Sequence, residues 1–141
     1  MNEQNFDSTR WLTPLVLDRG FAVQFREDDV HVELSKGFQP EHGHRQELWN
    51  VIADACEKHS SHRVLVEGFL PEGERETSDV IDAGQKTATV PHLWLAFAIA
   101  DFQPTAQTEL YETIAASRGV RVKFFTNRER ALNWLRQNTP Q

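Results

Sequence analysis

Cysteine is nearly absent from this chain. Cys56 stands alone among 141 residues, so no disulfide can form within it, and a reducing compartment suits it. Long apolar runs are missing too. The longest covers residues 93–100, far short of the ~20 residues a membrane-spanning helix needs. The first twenty residues, MNEQNFDSTRWLTPLVLDRG, lack a basic stretch followed by an apolar one, so no signal peptide is expected. Positive charge is in deficit: 15 Lys and Arg against 21 Asp and Glu leave a net charge of −6. That argues against a phosphate backbone as partner. There is no Gly-x-Ser-x-Gly, no His-Glu-x-x-His and no glycine-rich phosphate loop, which removes the commonest hydrolase, zinc-peptidase and nucleotide-binding signatures.

What remains is the length and patterning of one domain. Residues 1–19 read as an N-terminal extension, 20–137 as the domain and 138–141 as a polar tail. Within the extension, Trp11, Leu12, Leu15, Val16 and Leu17 form an apolar cluster with no clean period, suited to covering the core or filling a subunit contact. Phe21, Val23 and Phe25 alternate with Ala22, Gln24 and Arg26, and Val30, Val32 and Leu34 alternate with His31, Glu33 and Ser35. Both are the period of half-exposed strands. Glu27, Asp28 and Asp29 link them as a short turn, so the pair reads as an antiparallel hairpin.

Residues 36–43 read as a loop. Leu48, Val51, Ile52, Ala55 and Cys56 then keep helical spacing. Cys56 lies on that apolar stripe as a buried, inert thiol, and Trp49 sits beside it, partly outward. Residues 64–66 open a buried strand that Phe69 and Leu70 close. An acidic loop, PEGERETS, follows. Val80, Ile81, Gly84, Thr87 and Ala88 return to helical spacing, against the ~1 kcal/mol penalty of an interior glycine.

The run LWLAFAIADF at 93–102 has no alternation. That suits a strand buried on both faces, at the centre of a sheet between helices. Pro104 suits the first position of a helix with Ala106, Leu110 and Ile114 inward, and Gly119 suits its left-handed end. Val120, Val122 and Phe124 alternate as a strand nearer the sheet edge. Thr126 and Glu129 fit a capping box for a last helix with Ala131, Leu132 and Leu135 inward. The fold class expected is α/β, order β-β-α-β-α-β-α-β-α: a mixed sheet with an antiparallel hairpin and crossover helices.

The element order, the strand HLWLAFAIADF and the ending VRVKFFTNRERALNWL resemble the SpoIIAA-like group of the STAS fold, also described as STAS/SEC14-like. The motifs in question are Phe124-Phe125-Thr126 and the Ala-x-x-Trp-Leu of Ala131, Trp134 and Leu135. The resemblance spans about residues 20–137. It implies a small cytoplasmic module with a STAS-like mixed sheet, often self-associating, with a regulatory or ligand-binding role; a homodimer and no cofactor are expected. Anti-sigma-factor antagonists of the wider group carry a phosphorylatable serine in an Asp-Ser-Ser-Gly-like turn. Here that turn is missing. Ser78 is the nearest counterpart, and with Glu72, Glu74, Glu76 and Asp79 around it it reads as a helix cap rather than a phosphate acceptor.

Other chemistry is thin. His42 and His44 could ligate one ion, but no cysteine or carboxylate set completes a site by spacing, and His59, His62 and His92 read as loop or helix-end residues. The acidic trio 27–29 mimics a receiver domain, but Val66-Glu67-Gly68-Phe69 offers no acceptor aspartate. Trp49, Trp94, Trp134, Phe97, Phe102, Phe124 and Phe125 either pack the core or line an apolar pocket. Open α/β sheets bind ligands beyond the carboxyl ends of their strands, which directs attention to Phe69, Asp101 and Phe102. Three expectations follow in order: a non-enzymatic regulatory or protein-interaction module, with a second copy or another protein as partner; a carrier or sensor of a small apolar ligand such as a lipid; and an enzyme drawing on the 41–44 and 72–79 loops.

Overall fold

The computed structural model describes residues 20–26, 28–35, 42–69 and 76–138. The expectations for residues 1–19, for Glu27, for the loop residues 36–41, for Leu70, for most of the acidic loop and for the last residues of the chain lie outside them. Among the described residues the elements are β1 (Phe21–Arg26), β2 (Asp29–Leu34), α1 (His42–His59), β3 (Arg63–Gly68), α2 (Thr77–Thr87), β4 (Trp94–Ala98), α3 (Ala106–Ser117), β5 (Arg121–Phe125) and α4 (Arg128–Asn138). The order is the expected one. No described helix is long and apolar enough to cross a membrane.

The five strands form one mixed sheet in the order β1-β2-β3-β4-β5. β1 and β2 pair antiparallel, with Phe21 opposite Leu34 and Arg26 opposite Asp29. β2, β3, β4 and β5 run parallel. Asp29 is therefore not part of the turn. It opens β2 and is fully buried. β4 is an inner strand, but the middle of the sheet is β3.

Strands laid successively in one direction and joined by right-handed crossovers place their connecting helices on one face. The side chains follow that rule. Val30, Val32, Val64, Val66, Leu95 and Phe97 pack with Leu48, Trp49, Ile52 and Cys56 of α1 and Ala115 of α3. The alternate residues Leu65, Ala96 and Ala98 pack with Ala131 and Leu135 of α4 on the opposite face. This is why 93–100 shows no alternation: β4 is covered on both sides. Trp49 is buried, not turned outward. Burial pushes the Cys56 thiol up to about 12, so it stays protonated and inert.

Helix ends differ from expectation by one or two residues. α3 is capped by Thr105, in a reciprocal box with Thr108, so Pro104 precedes the cap. Its inward stripe is centred on Ala115 and Tyr111, and Ala106 is exposed. α4 is capped by Asn127, whose Oδ1 accepts from the Arg130 amide at 2.8 Å, not by Thr126. Two adjacent residues with capping side chains compete there, and the position one step nearer the helix wins. α1 begins at His42, within the stretch expected to be loop. Gly119 ends α3 with a φ of +86°, as its position suggested.

Gly84 in α2 has a packing reason. A Cβ there would stand 2.6 Å from Ile114 Cγ2 and 2.7 Å from its Cβ, so the missing side chain sets how closely α2 and α3 approach. Gly84→Ala is expected to destabilise the fold by about 1–3 kcal/mol, whereas at an open helical position the same change stabilises by about 1 kcal/mol. Urea unfolding of Gly84→Ala, with and without Ile114→Ala, measures this. A single variant more stable than the parent would remove the close-packing explanation.

Candidate functional site

The alternation of β1 and β2 sets which residues share the α4 face. Ala22, Gln24 and Arg26 of β1 stand opposite Glu33, His31 and Asp29 of β2. On β3, Glu67 lies beside Glu33 and Leu65 beside His31. α4 packs on β3, β4 and β5. Beside its first residue, over β1, β2 and β3, lies a cavity of about 300 Å³ whose polar lining comes from Gln24, Arg26, His31, Glu33, Glu67 and Arg128. That volume is at the lower end of small-molecule sites. Val32 and Gly68 complete the wall.

Gly68 ends β3 with a φ of +106°. A Cβ there would fall 2.1 Å from the Leu34 carbonyl oxygen. The residue is glycine because the β2 backbone occupies the side-chain position. The Phe69 amide donates to that same carbonyl at 3.2 Å, and the strand ends at Gly68, one residue before the Phe69 expected to help close it.

The charges on this face of the sheet fall into two sets. Arg128 Nε donates to Glu67 Oε2 at 2.7 Å, which ties the start of α4 to the tip of β3. At the other end of the helix Arg136 donates to Asp29 Oδ2 at 3.1 Å, and Arg63 Nε stands 2.9 Å from Oδ1. Asp29 thus sits buried between two guanidinium groups. The second set has no such partners. Arg26 and Glu33 form no ion pair among the described residues. His31 is only 6% exposed, and its Nε2 has no hydrogen-bond partner among the described residues.

Burial is the largest cause holding the His31 imidazole below its ordinary 6.5, and the positive charge of Arg26 adds to it; Asp29 and Glu67 oppose. The sign follows directly. The unfolded chain binds a proton near pH 6.5 that the folded chain resists, so the contribution of neutral His31 is complete above that pH and is lost as pH falls below it. His31→Gln is expected to flatten the acid side of the stability profile between about pH 7 and about pH 5. Urea midpoints across that range give the comparison, and identical slopes in parent and variant would remove His31 as a titrating group.

The residues singled out by sequence are placed elsewhere. Phe69 follows Gly68 and is 51% exposed. Asp101 is exposed, and Phe102 stacks on Phe124 at 4.6 Å on the opposite face. None of the three lines the cavity. The cavity does lie near the carboxyl ends of strands, but of β2 and β3. Ser78 is exposed as the second residue of α2. The cap position belongs to Glu76, whose side chain makes no capping bond. The aromatic residues are engaged with one another. Phe97 stacks on Phe124 at 4.6 Å, Tyr111 meets both edge-on, and Trp134 packs on Trp94 and Phe125. Among the described residues no three His, Cys, Asp or Glu side chains gather as a metal-binding group.

Sequence reasoning missed Gln24, Arg26, His31 and Glu33 because they occupy the polar positions of an ordinary half-exposed hairpin. One signal was available: a histidine and two residues of opposite charge on the same alternating face. No family model matches the chain, and the searches of curated proteins and of solved structures returned no match.

Proposed function

We propose that this chain is a non-enzymatic regulatory module of the STAS/SpoIIAA-like type that responds to a small polar ligand held in the cavity beside α4. The observation that carries the reading is His31. A buried imidazole nitrogen without a partner costs roughly 1–3 kcal/mol, and native structures leave few such groups without a reason. Here the ring lines a cavity, and the ligand supplies the missing partner. The guanidinium of Arg26, without an ion pair among the described residues, stands on the same wall. The mixed sheet with its antiparallel hairpin supports the family resemblance at the level of architecture.

α4 gives the ligand a route to a partner protein or a second copy. Arg128 both lines the cavity and holds the helix to β3 through Glu67. A ligand that engages Arg128 competes with that ion pair and loosens the start of the helix. The effector surface is then α4 itself, whose outer residues are exposed.

Amide chemical-shift mapping of the full chain against a library of small polar molecules tests the reading. Ligands are expected to move the amides of Gln24, His31, Glu67 and Arg128 together, and His31→Phe is expected to abolish those shifts. Shifts confined to the α1–α3 face, or none from any compound, would sink it.

A further inference from the structure

We infer that the ligand of this cavity is an extended zwitterion, with its anionic end at Arg26 and its cationic end at Glu33. This rests on the reading of the cavity as a binding site and adds the chemical class. The charges that line it sum to zero once His31 is counted neutral: two guanidinium groups and two carboxylates. Arg128 pairs with Glu67 at 2.7 Å and also feels the charge of Glu33, so one guanidinium faces two carboxylates and that end keeps one net negative charge. Arg26, at the other end, keeps a positive one. A purely anionic ligand would satisfy Arg26 and meet the excess negative charge beside Glu33, whose side chain is exposed. A purely cationic one would meet the reverse. A molecule carrying both charges satisfies both ends at once.

The register fixes the spacing. Arg26 pairs with Asp29, and Glu33 lies four residues further along β2, so the two side chains spring from points roughly 13 Å apart at the usual rise of a strand. Both side chains are long and line the cavity, which leaves several ångströms between the charged groups of the ligand. An α-amino acid is too short to bridge them; an ω-amino acid or a dipeptide spans them. Between the two ends, Gln24 and His31 face each other across β1 and β2. They offer a carboxamide and a neutral imidazole, which suit an amide or hydroxyl in the middle of the ligand.

Calorimetric titration of the full chain with four probes tests the class: glycylglycine, 5-aminopentanoate, glutarate and 1,5-diaminopentane. The two zwitterions are expected to bind, and the dianion and the dication to bind at least about tenfold more weakly. Arg26→Gln and Glu33→Gln are each expected to weaken zwitterion binding about tenfold or more. Neither group has an ion-pair partner to lose among the described residues, so the unliganded melting temperature should hold and a binding loss reads as a site effect. Glutarate binding that depends on Arg26 but not on Glu33 would overturn the zwitterion and leave the cavity a binding site. Diaminopentane binding that depends on Glu33 alone would do the same with the opposite sign. Amide shifts from none of these four probes, with shifts at His31 and Gln24 from another polar compound, would also reject the class while keeping the site.

Discussion

Gly68→Ala is expected to cost the fold about 4 kcal/mol, the sum of about 1–3 kcal/mol for forcing a side chain into this backbone region and a similar amount for overpacking. Both terms come from one residue. Its φ is +106°, and the added Cβ would fall 2.1 Å from the Leu34 carbonyl oxygen and 2.9 Å from its amide nitrogen. Those are backbone atoms of a paired strand, so β2 and β3 must separate where they form the cavity wall. Gly119→Ala separates the two terms. Gly119 has a φ of +86°, but a Cβ there would meet nothing within 4 Å, so it should lose only about 1–2 kcal/mol. Urea unfolding followed by tryptophan fluorescence measures both. Against a total stability of about 5–15 kcal/mol, the Gly68 loss is large enough to read without ambiguity. Equal losses at the two positions would mean that the clash with Leu34 is relieved at no cost.

Much of this architecture is written locally. The alternation of 21–25 and 30–34 specifies a hairpin, and the unbroken apolar run at 93–100 specifies a strand covered twice. Those patterns depend only on neighbours within a few residues. Asp29 shows where such reading ends. Beside Asp28 it looks like a turn residue, because its burial depends on Arg63 and on Arg136, the latter 107 residues away. Nothing in the local pattern announces that two guanidinium groups will converge on it. Gln24, Arg26, His31 and Glu33 fail to stand out for a related reason. Polar residues at alternate positions read as the wet side of a ribbon, and the same alternation makes the floor of a cavity once α4 packs alongside. The general rule that ligands sit beyond the carboxyl ends of strands pointed to the end of the sheet near which the cavity also lies. Choosing between the tips of β3 and β4 and those of β2 and β3 required knowing that α4 crosses to the far face and leaves its first residue, Arg128, against Glu67.

The second large effect lies at the other end of that helix. Asp29→Ala is expected to destabilise the chain by about 3 kcal/mol, the lower bound of the range for breaking a buried ion pair from one side. The carboxylate is fully buried, and Arg63 beside it is 14% exposed, so removing Asp29 leaves a guanidinium charge in a poorly hydrated place. Arg63 keeps a partial alternative in Asp28, 3.7 Å away, and Arg136 is 42% exposed and can turn into water. Those two escapes hold the loss near the lower bound. The asymmetry of the pair supplies the control. Arg136→Ala removes only the half-exposed partner and should cost about 1 kcal/mol or less, because Asp29 retains Arg63. Asp29→Asn keeps the shape and one acceptor, and should fall between the two. Hydrogen exchange locates the effect: in Asp29→Ala the amides late in α4 should lose protection before those of β4, since Asp29 is what ties the end of the helix to β2. Uniform loss of protection across the sheet would instead make Asp29 a residue of the hairpin alone. In that case the two ends of α4 would not share a common dependence on β2 and β3, and loosening at Arg128 would not travel along the helix.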